Sequence, residues 1–224
     1  MNNEQFSRTI GLLGEDEFTN LQNKKVFIAG LGGVGGTVFE ALIRTGITHF
    51  IIVDRDNVDI SNLNRQLLFT QNDIGRSKVE VAKARALSIN PKIDIITDNR
   101  DVKDIDNIDA DMIVDCIDDV KAKVHLIKYA CDHNIPVITS MGMANKLDPS
   151  QIRLATLNKS TVDPLAKKVR YELKQAGIDY SNLMCVFSYE EVHKDGNRLN
   201  SLMTVTSTAG LQIAYYVINI LKNN

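Results

Sequence analysis

Residues 24–36 read KKVFIAGLGGVGG, and the chain continues TVFEALIRTG to position 46. The run 24–30 is apolar and β-rich, it breaks into glycine, and from Val34 to Thr45 the pattern is helical. Gly30, Gly32 and Gly35 supply G-x-G-x-x-G, with Gly33 and Gly36 beside them. Glycines at a strand-to-helix turn let the backbone bend tightly and approach a phosphate. The helix start then offers unpaired N–H groups and a partial positive charge. A second strand, HFIIVD at 49–54, ends in Asp54, nineteen residues beyond Gly35 and placed to accept hydrogen bonds from ribose hydroxyls. Strand, triplet, helix, strand and acid in that order predict an adenine-nucleotide site. Taken alone they leave open whether the nucleotide is NAD or ATP.

Outward from this unit, β-rich runs alternate with helices. A helix is predicted over 77–90, with Val79, Ala82, Ala86 and Ile89 on one face, then strands at 92–97 and 111–117, a helix from about 121 to 133, and a strand at 136–140. Such alternation predicts an α/β fold with a Rossmann-like, largely parallel sheet covered by helices on both faces. Beyond about residue 141 the pattern is less regular: a strand at 151–157, a basic helix from Pro164, a strand at 183–188 and a final helix near 207–222. The organisation expected is one domain over 1–224, with a nucleotide-binding core in 1–140 and an irregular C-terminal extension in 141–224 that serves substrate and dimer contacts. With 44% apolar and 24% charged residues and a net charge of −2, the 224-residue chain is neither disordered nor a general nucleic-acid coat. Cys116, Cys131 and Cys185 form no C-x-x-C pair, which argues against a disulfide framework and a structural zinc site. The polar, acidic N-terminus lacks the pattern of a signal peptide, and the longest uncharged stretch, 199–221, is too rich in Thr, Ser, Asn and Gln to span a membrane. A cytoplasmic location is the expectation.

The segment after Asp54 separates ATP from NAD. A polar loop presents Asn62, Asn64, Arg65 and Gln66, and a helix follows with Lys78 in its first turn. Arg65 and Lys78 are the cations a triphosphate tail requires while a nucleophile approaches the α phosphorus. The strand at 111–117 brings Asp118 and Asp119 to the carboxyl edge of the sheet, where one of them could hold Mg²⁺. GLGGVG, I-V-D-x-D, SN-x-NRQ, IG-x-x-K and D-x-x-D together resemble the adenylating domain of ubiquitin-activating enzymes and their bacterial relatives ThiF and MoeB, over about residues 6 to 140. The resemblance implies ATP binding through Gly30, Gly32, Gly33, Gly35, Asp54, Asp56, Asn62, Arg65, Gln66, Lys78 and Asp118. It makes Asp118 the magnesium ligand and places Asn62, Arg65 and Lys78 on the phosphates. It also implies a homodimer in which Arg8, in FSRTIGLLG, reaches the partner's site.

LDPSQI (147–152), KSTVDPLAKKVRYELKQAGI (159–178) and CVFS (185–188) extend the resemblance to the TcdA-like tRNA threonylcarbamoyladenosine dehydratases of that superfamily. The implied reaction is ATP-dependent cyclisation of a side chain on the adenosine beside the anticodon, with tRNA as partner. Adenylation of a ubiquitin-like sulfur-carrier protein is the alternative, and NAD-dependent oxidoreduction is a weaker one. The lack of paired C-x-x-C motifs argues against the carrier-activating subgroup, although a sulfur-relay protein remains a candidate partner. Lys167, Lys168, Arg170 and Lys174 on the basic helix, with Lys121, Lys123 and Lys128 beside Asp118, are expected to contact tRNA phosphates. Cys185 is expected in a buried strand. Gly36 removes a hydroxyl common in relatives, and Met143 and Ala144 replace glycines, predicting a stiffer, more apolar loop over 140–149.

Overall fold

Two short helices, α1 (Ser7–Leu13) and α2 (Glu15–Gln22), precede the first strand in the computed structural model, which describes residues 3–193 and 199–223. They meet at Gly14, whose φ of 90° is open to glycine at little cost. Then follow β1 (Lys25–Ala29), α3 (Gly33–Thr45) and β2 (His49–Val53). After a long polar loop come α4 (Lys78–Ile89), β3 (Asp94–Asp98), β4 (Met112–Asp115), α5 (Val120–Asp132) and β5 (Val137–Ser140). The C-terminal third contributes β6 (Ile152–Thr156), α6 (Pro164–Gln175), β7 (Met184–Ser188) and α7 (Met203–Leu221). The final helix starts four residues before the expected 207. Polar side chains at 204, 206, 207 and 208 obscured that start, and Thr206 is nevertheless buried.

The strands form one seven-stranded sheet in the order β3-β2-β1-β4-β5-β7-β6, parallel except for β6 against β7. The C-terminal third is therefore less irregular than its sequence: β7 pairs directly with β5, Thr139 opposite Cys185, and continues the sheet. β1 is buried on both faces, as its unbroken apolar run requires. Val26 and Ile28 join the core under α3, α4 and α7, and Phe27 and Ala29 face the core under α5. A third cluster binds α5 and α6 to Cys185 and Phe187 of β7. α7 lies tightly on α3 because Gly210 has no side chain; a Cβ there would stand 2.7 Å from the Val34 carbonyl oxygen. Among the described residues no helix is long and apolar enough to cross a membrane.

This strand order fixes the site. From β1 the chain crosses to β2 on one side, whereas β4 and β5 follow on the other. The crossovers diverge at β1 and β4, and a crevice opens beyond their carboxyl ends.

Candidate active site

A cavity of about 580 Å³ fills that crevice. The glycine loop forms its floor. Gly30 (φ 87°) turns the chain beneath Cys116, and a Cβ on it would lie 2.7 Å from the Cys116 carbonyl oxygen. Gly35 packs on the loop itself, where a Cβ would fall 1.8 Å from the Gly30 oxygen. The Gly36 N–H makes the first helical bond, to the Gly32 oxygen at 2.9 Å. The N–H groups of Gly33, Val34 and Gly35 therefore precede the helical ladder and give the loop its anion-binding character.

The side chains expected at the nucleotide divide into those on the cavity wall and those behind it. Gly30, Gly32, Gly33, Asp54, Arg65, Gln66, Lys78 and Asp118 line the cavity; Gly35, Asp56 and Asn62 do not. Asp54 braces the loop, its Oδ2 accepting the Leu31 N–H at 2.7 Å and its Oδ1 the Asp56 N–H at 2.9 Å. Burial pushes the Asp54 pKa up, against the pull of Lys78 and the two N–H donors. Lys78 is 5% exposed and holds its Nζ 3.0 Å from Asp56 and 3.9 Å from Asp54. Asp56 thus reaches the site through Lys78. Asn62 is committed to a turn: its Oδ1 accepts the Asp59 N–H at 3.2 Å in a reciprocal cap. Arg65 donates from Nη1 to the Ser61 oxygen and to Asn64 Oδ1. Gln66 is buried at 5% exposure, and among the described residues its Oε1 accepts no hydrogen bond. That oxygen is itself sealed from solvent, so it meets a ligand's donor only if the side chain turns.

At the sheet edge Asp119 caps α5, accepting the Ala122 N–H at 2.8 Å, while Asp118 is exposed, lines the cavity and has no hydrogen-bond or ion-pair partner among the described residues. No group of three or more His, Cys, Asp or Glu side chains able to hold a metal forms among those residues. One free carboxylate beside a phosphate loop fits Mg²⁺, which takes its remaining ligands from phosphate and water. Arg8 is exposed on α1 and is not part of the cavity wall within one chain.

Of the seven basic residues expected at tRNA phosphates, Arg170, Lys123 and Lys128 are engaged within the chain. Arg170 turns inward, its Nη1 donating to the Ser160 oxygen at 2.6 Å and the Leu157 oxygen at 3.3 Å, because it follows buried Val169 and precedes buried Leu173. Lys123 is fully buried, paired with Asp115 at 2.8 Å and Thr139 at 3.0 Å. Lys128 is engaged by Asp132. Lys121, Lys167, Lys168 and Lys174 remain exposed.

Other wall residues escaped the sequence reading. Lys146, 2% exposed, lies 3.4 Å from Asp163, which caps α6. Arg55 pairs with Asp101 at 2.6 Å, and Thr206 approaches Gly33 from α7. Only the fold brings 146, 163 and 206 to the glycine loop. In the 140–149 loop Met141 and Met143 are buried and Leu147 is exposed. Cys185 is fully buried and its thiol is pushed up to about 12 by burial, which removes it as a nucleophile. Cys116 is raised further by the same cause.

Comparison with known proteins finds relatives of similar sequence and fold. The tRNA threonylcarbamoyladenosine dehydratase of Bacillus subtilis is 37% identical over 191 residues, covering 83% of this chain and 75% of that protein. The crystal structure of Escherichia coli tRNA N6-threonylcarbamoyladenosine dehydratase, TcdA, in complex with ATP matches with a TM-score of 0.93 at 30% identity, over 99% of this chain and 95% of that one. The complex of the same enzyme with AMP gives the same values. The ThiF family model matches residues 6–224, and the chain belongs to the ThiF family.

Proposed function

We propose that the chain is an ATP-dependent tRNA threonylcarbamoyladenosine dehydratase. The observation that carries this is the reach of the likeness to such enzymes, 99% of the chain, which takes in β6, β7 and the α6 whose start lines the cavity. A free carboxylate is a poor acyl donor because its leaving group would be oxide. Its oxygen attacks the α phosphorus of ATP, pyrophosphate departs, and an acyl adenylate results. The carbamoyl group of the same side chain attacks the acyl carbon, a ring closes, and AMP leaves with the oxygen. The sum is loss of water. Ring closure is intramolecular, so positioning supplies much of the rate and no protein nucleophile is needed.

The residues take roles that follow from their places. The N–H groups of Gly33, Val34 and Gly35 receive phosphate oxygens. Lys78 and Arg65 balance charge on the pyrophosphate as it departs. Asp118 would hold Mg²⁺, which supplies further charge neutralisation when bound. Arg8 completes the site from the second subunit of a homodimer. Lys167, Lys168 and Lys174 contact tRNA phosphates, whereas Arg170 contributes by anchoring α6.

Mass spectrometry of tRNA nucleosides after incubation of threonylcarbamoylated tRNA with the protein and ATP tests the assignment. The modified nucleoside loses one water only when ATP is present, and Lys78→Ala lowers kcat/KM about 10²–10³-fold, the effect of removing one charge-stabilising donor. Pyrophosphate exchange stimulated by a ubiquitin-like carrier and not by tRNA would select the carrier-activating alternative. Binding of NAD with no binding of ATP would select an oxidoreductase.

A further inference from the structure

Beside the mouth of the cavity lies an open groove between the N-terminal halves of α5 and α6. It shares Asp118, Asp119, Val120, Pro164 and Lys168 with the cavity wall, so the two spaces adjoin. On its α6 side Lys167, Lys168 and Tyr171 fall on one helical face, at separations of four and three residues. Lys121 faces them from the first turn of α5. Tyr171 is 60% exposed, and neither its ring nor its hydroxyl has a partner among the described residues. An unpartnered aromatic face in a groove that carries three ammonium groups, with the Asp118, Asp119 and Glu172 carboxylates on the same lining, matches unpaired nucleotides, whose bases stack on aromatic rings while their phosphates meet cations.

We propose that Tyr171 is the stacking platform for a base adjacent to the target adenosine of a single-stranded RNA loop, with Lys121, Lys167 and Lys168 holding the phosphates on either side. The inference rests on the function proposed above and specifies how that RNA substrate is held. A duplex presents no free base face, so the platform selects a loop. The lysines contact backbone, so the groove selects for an unpaired neighbour and not for its identity.

The test compares wild type, Tyr171→Ala and Tyr171→Phe, using the tRNA and an anticodon stem-loop carrying 2-aminopurine beside the target position. Tyr171→Ala lowers kcat/KM for tRNA about 5- to 150-fold, the loss of one base–aromatic stack, with half-saturating ATP unchanged. Tyr171→Phe, which keeps the ring, stays within about twofold, because the stack needs only the aromatic face. Quenching of 2-aminopurine on binding is present in wild type and the Phe variant and absent in the Ala variant. An unchanged kcat/KM in Tyr171→Ala, or an equal loss in ATP half-saturation, overturns the proposal. If wild type forms no dehydrated nucleoside, the proposed function fails separately. The quenching, which needs binding alone, then decides: confined to the ring-bearing proteins it upholds the platform, and equal in all three or absent from all it refutes it.

Discussion

The buried pair beneath the cavity yields the sharpest stability prediction. Lys123 and Asp115 are both 0% exposed at the side chain. The ammonium lies 2.8 Å from Asp115 Oδ2 and 3.0 Å from Thr139 Oγ1. Thr139 donates to the same Oδ2 at 2.6 Å, and the Ile117 N–H donates to Oδ1 at 3.1 Å. Lys123→Met keeps most of the length of the side chain and removes its charge. The carboxylate retains two donors but loses its counter-charge where no water reaches it. Breaking a buried pair from one side costs about 3–5 kcal/mol, and a chain of this size loses about 2–4 °C of Tm per kcal/mol, so Tm falls about 6–20 °C. Urea denaturation followed by circular dichroism measures the loss, which suits a chain with no tryptophan. Adding Asp115→Asn removes the orphaned charge while leaving an acceptor for Ile117. The double variant recovers at least half of the loss, with a coupling energy of about 2 kcal/mol or more in the double-mutant cycle. A Lys123→Met cost below about 1 kcal/mol, or strictly additive variants, would refute the reasoning.

Gly35→Ala drives a Cβ against the Gly30 oxygen and abolishes ATP binding by calorimetry, whereas Gly11→Ala, with open space around it on exposed α1, raises stability by up to about 1 kcal/mol; ATP affinity retained in Gly35→Ala would refute the packing argument. Burial alone would raise the Glu40 pKa, but hydrogen bonds from Arg85 and Arg44 outweigh it and hold the carboxyl below its ordinary 4.5. Such a group stabilises above the unfolded pKa and loses that contribution as pH falls through the folded one. Glu40→Gln is therefore less stable than wild type at pH 7 by under about 1 kcal/mol, both arginines being partly solvated, and the gap closes on acidification below 4.5; a gap independent of pH counts against the linkage. Arg8→Ala and Asp118→Asn are each inactive alone, yet mixed and re-equilibrated they regain about one quarter of wild-type activity. Half of the dimers are then hybrid and each hybrid carries one intact site; no recovery would place Arg8 in its own subunit's site.

The sheet and its nucleotide crevice were legible because they rest on backbone requirements. Apolar runs without alternation, a glycine that must turn and a glycine that must let a carbonyl pass leave few other folds. Side-chain direction was less legible. Asn62 lies in a motif whose spacing matches the family, yet a cap three residues long decides where its amide points. Lys123 could have been placed from sequence, since it shares the stripe of Ala122, Leu126, Ile127 and Ala130 that packs α5 on the sheet. The same holds for Arg170, which lies beside Val169 and three residues before Leu173. Lys146 carried no signal, because its partner Asp163 and its neighbour Ser188 come from segments that only the β6–β7 pairing draws together.

Among the described residues three lysines are buried, Lys78 and Lys146 on the cavity wall and Lys123 beneath it, and the exposure of their partners separates their roles. Lys123 pairs with a carboxylate at 0% exposure and Lys146 with another at 0%; moving either ammonium toward a ligand would strand a charge away from water. These two hold walls in place: Lys123 under the strand end that leads to Asp118, Lys146 by tying its own loop to the start of α6. Lys78 differs. Its nearest carboxylate, Asp56, is 61% exposed, and Asp54 keeps two N–H donors without it. Moving Lys78 to a phosphate therefore parts it from an exposed carboxylate and returns Asp56 to water, while buried Asp54, 3.9 Å from the ammonium, keeps its two N–H donors. A triphosphate offers several negative oxygens in exchange. Of the three, Lys78 alone has an exposed partner, which supports the proposal that it serves the phosphates.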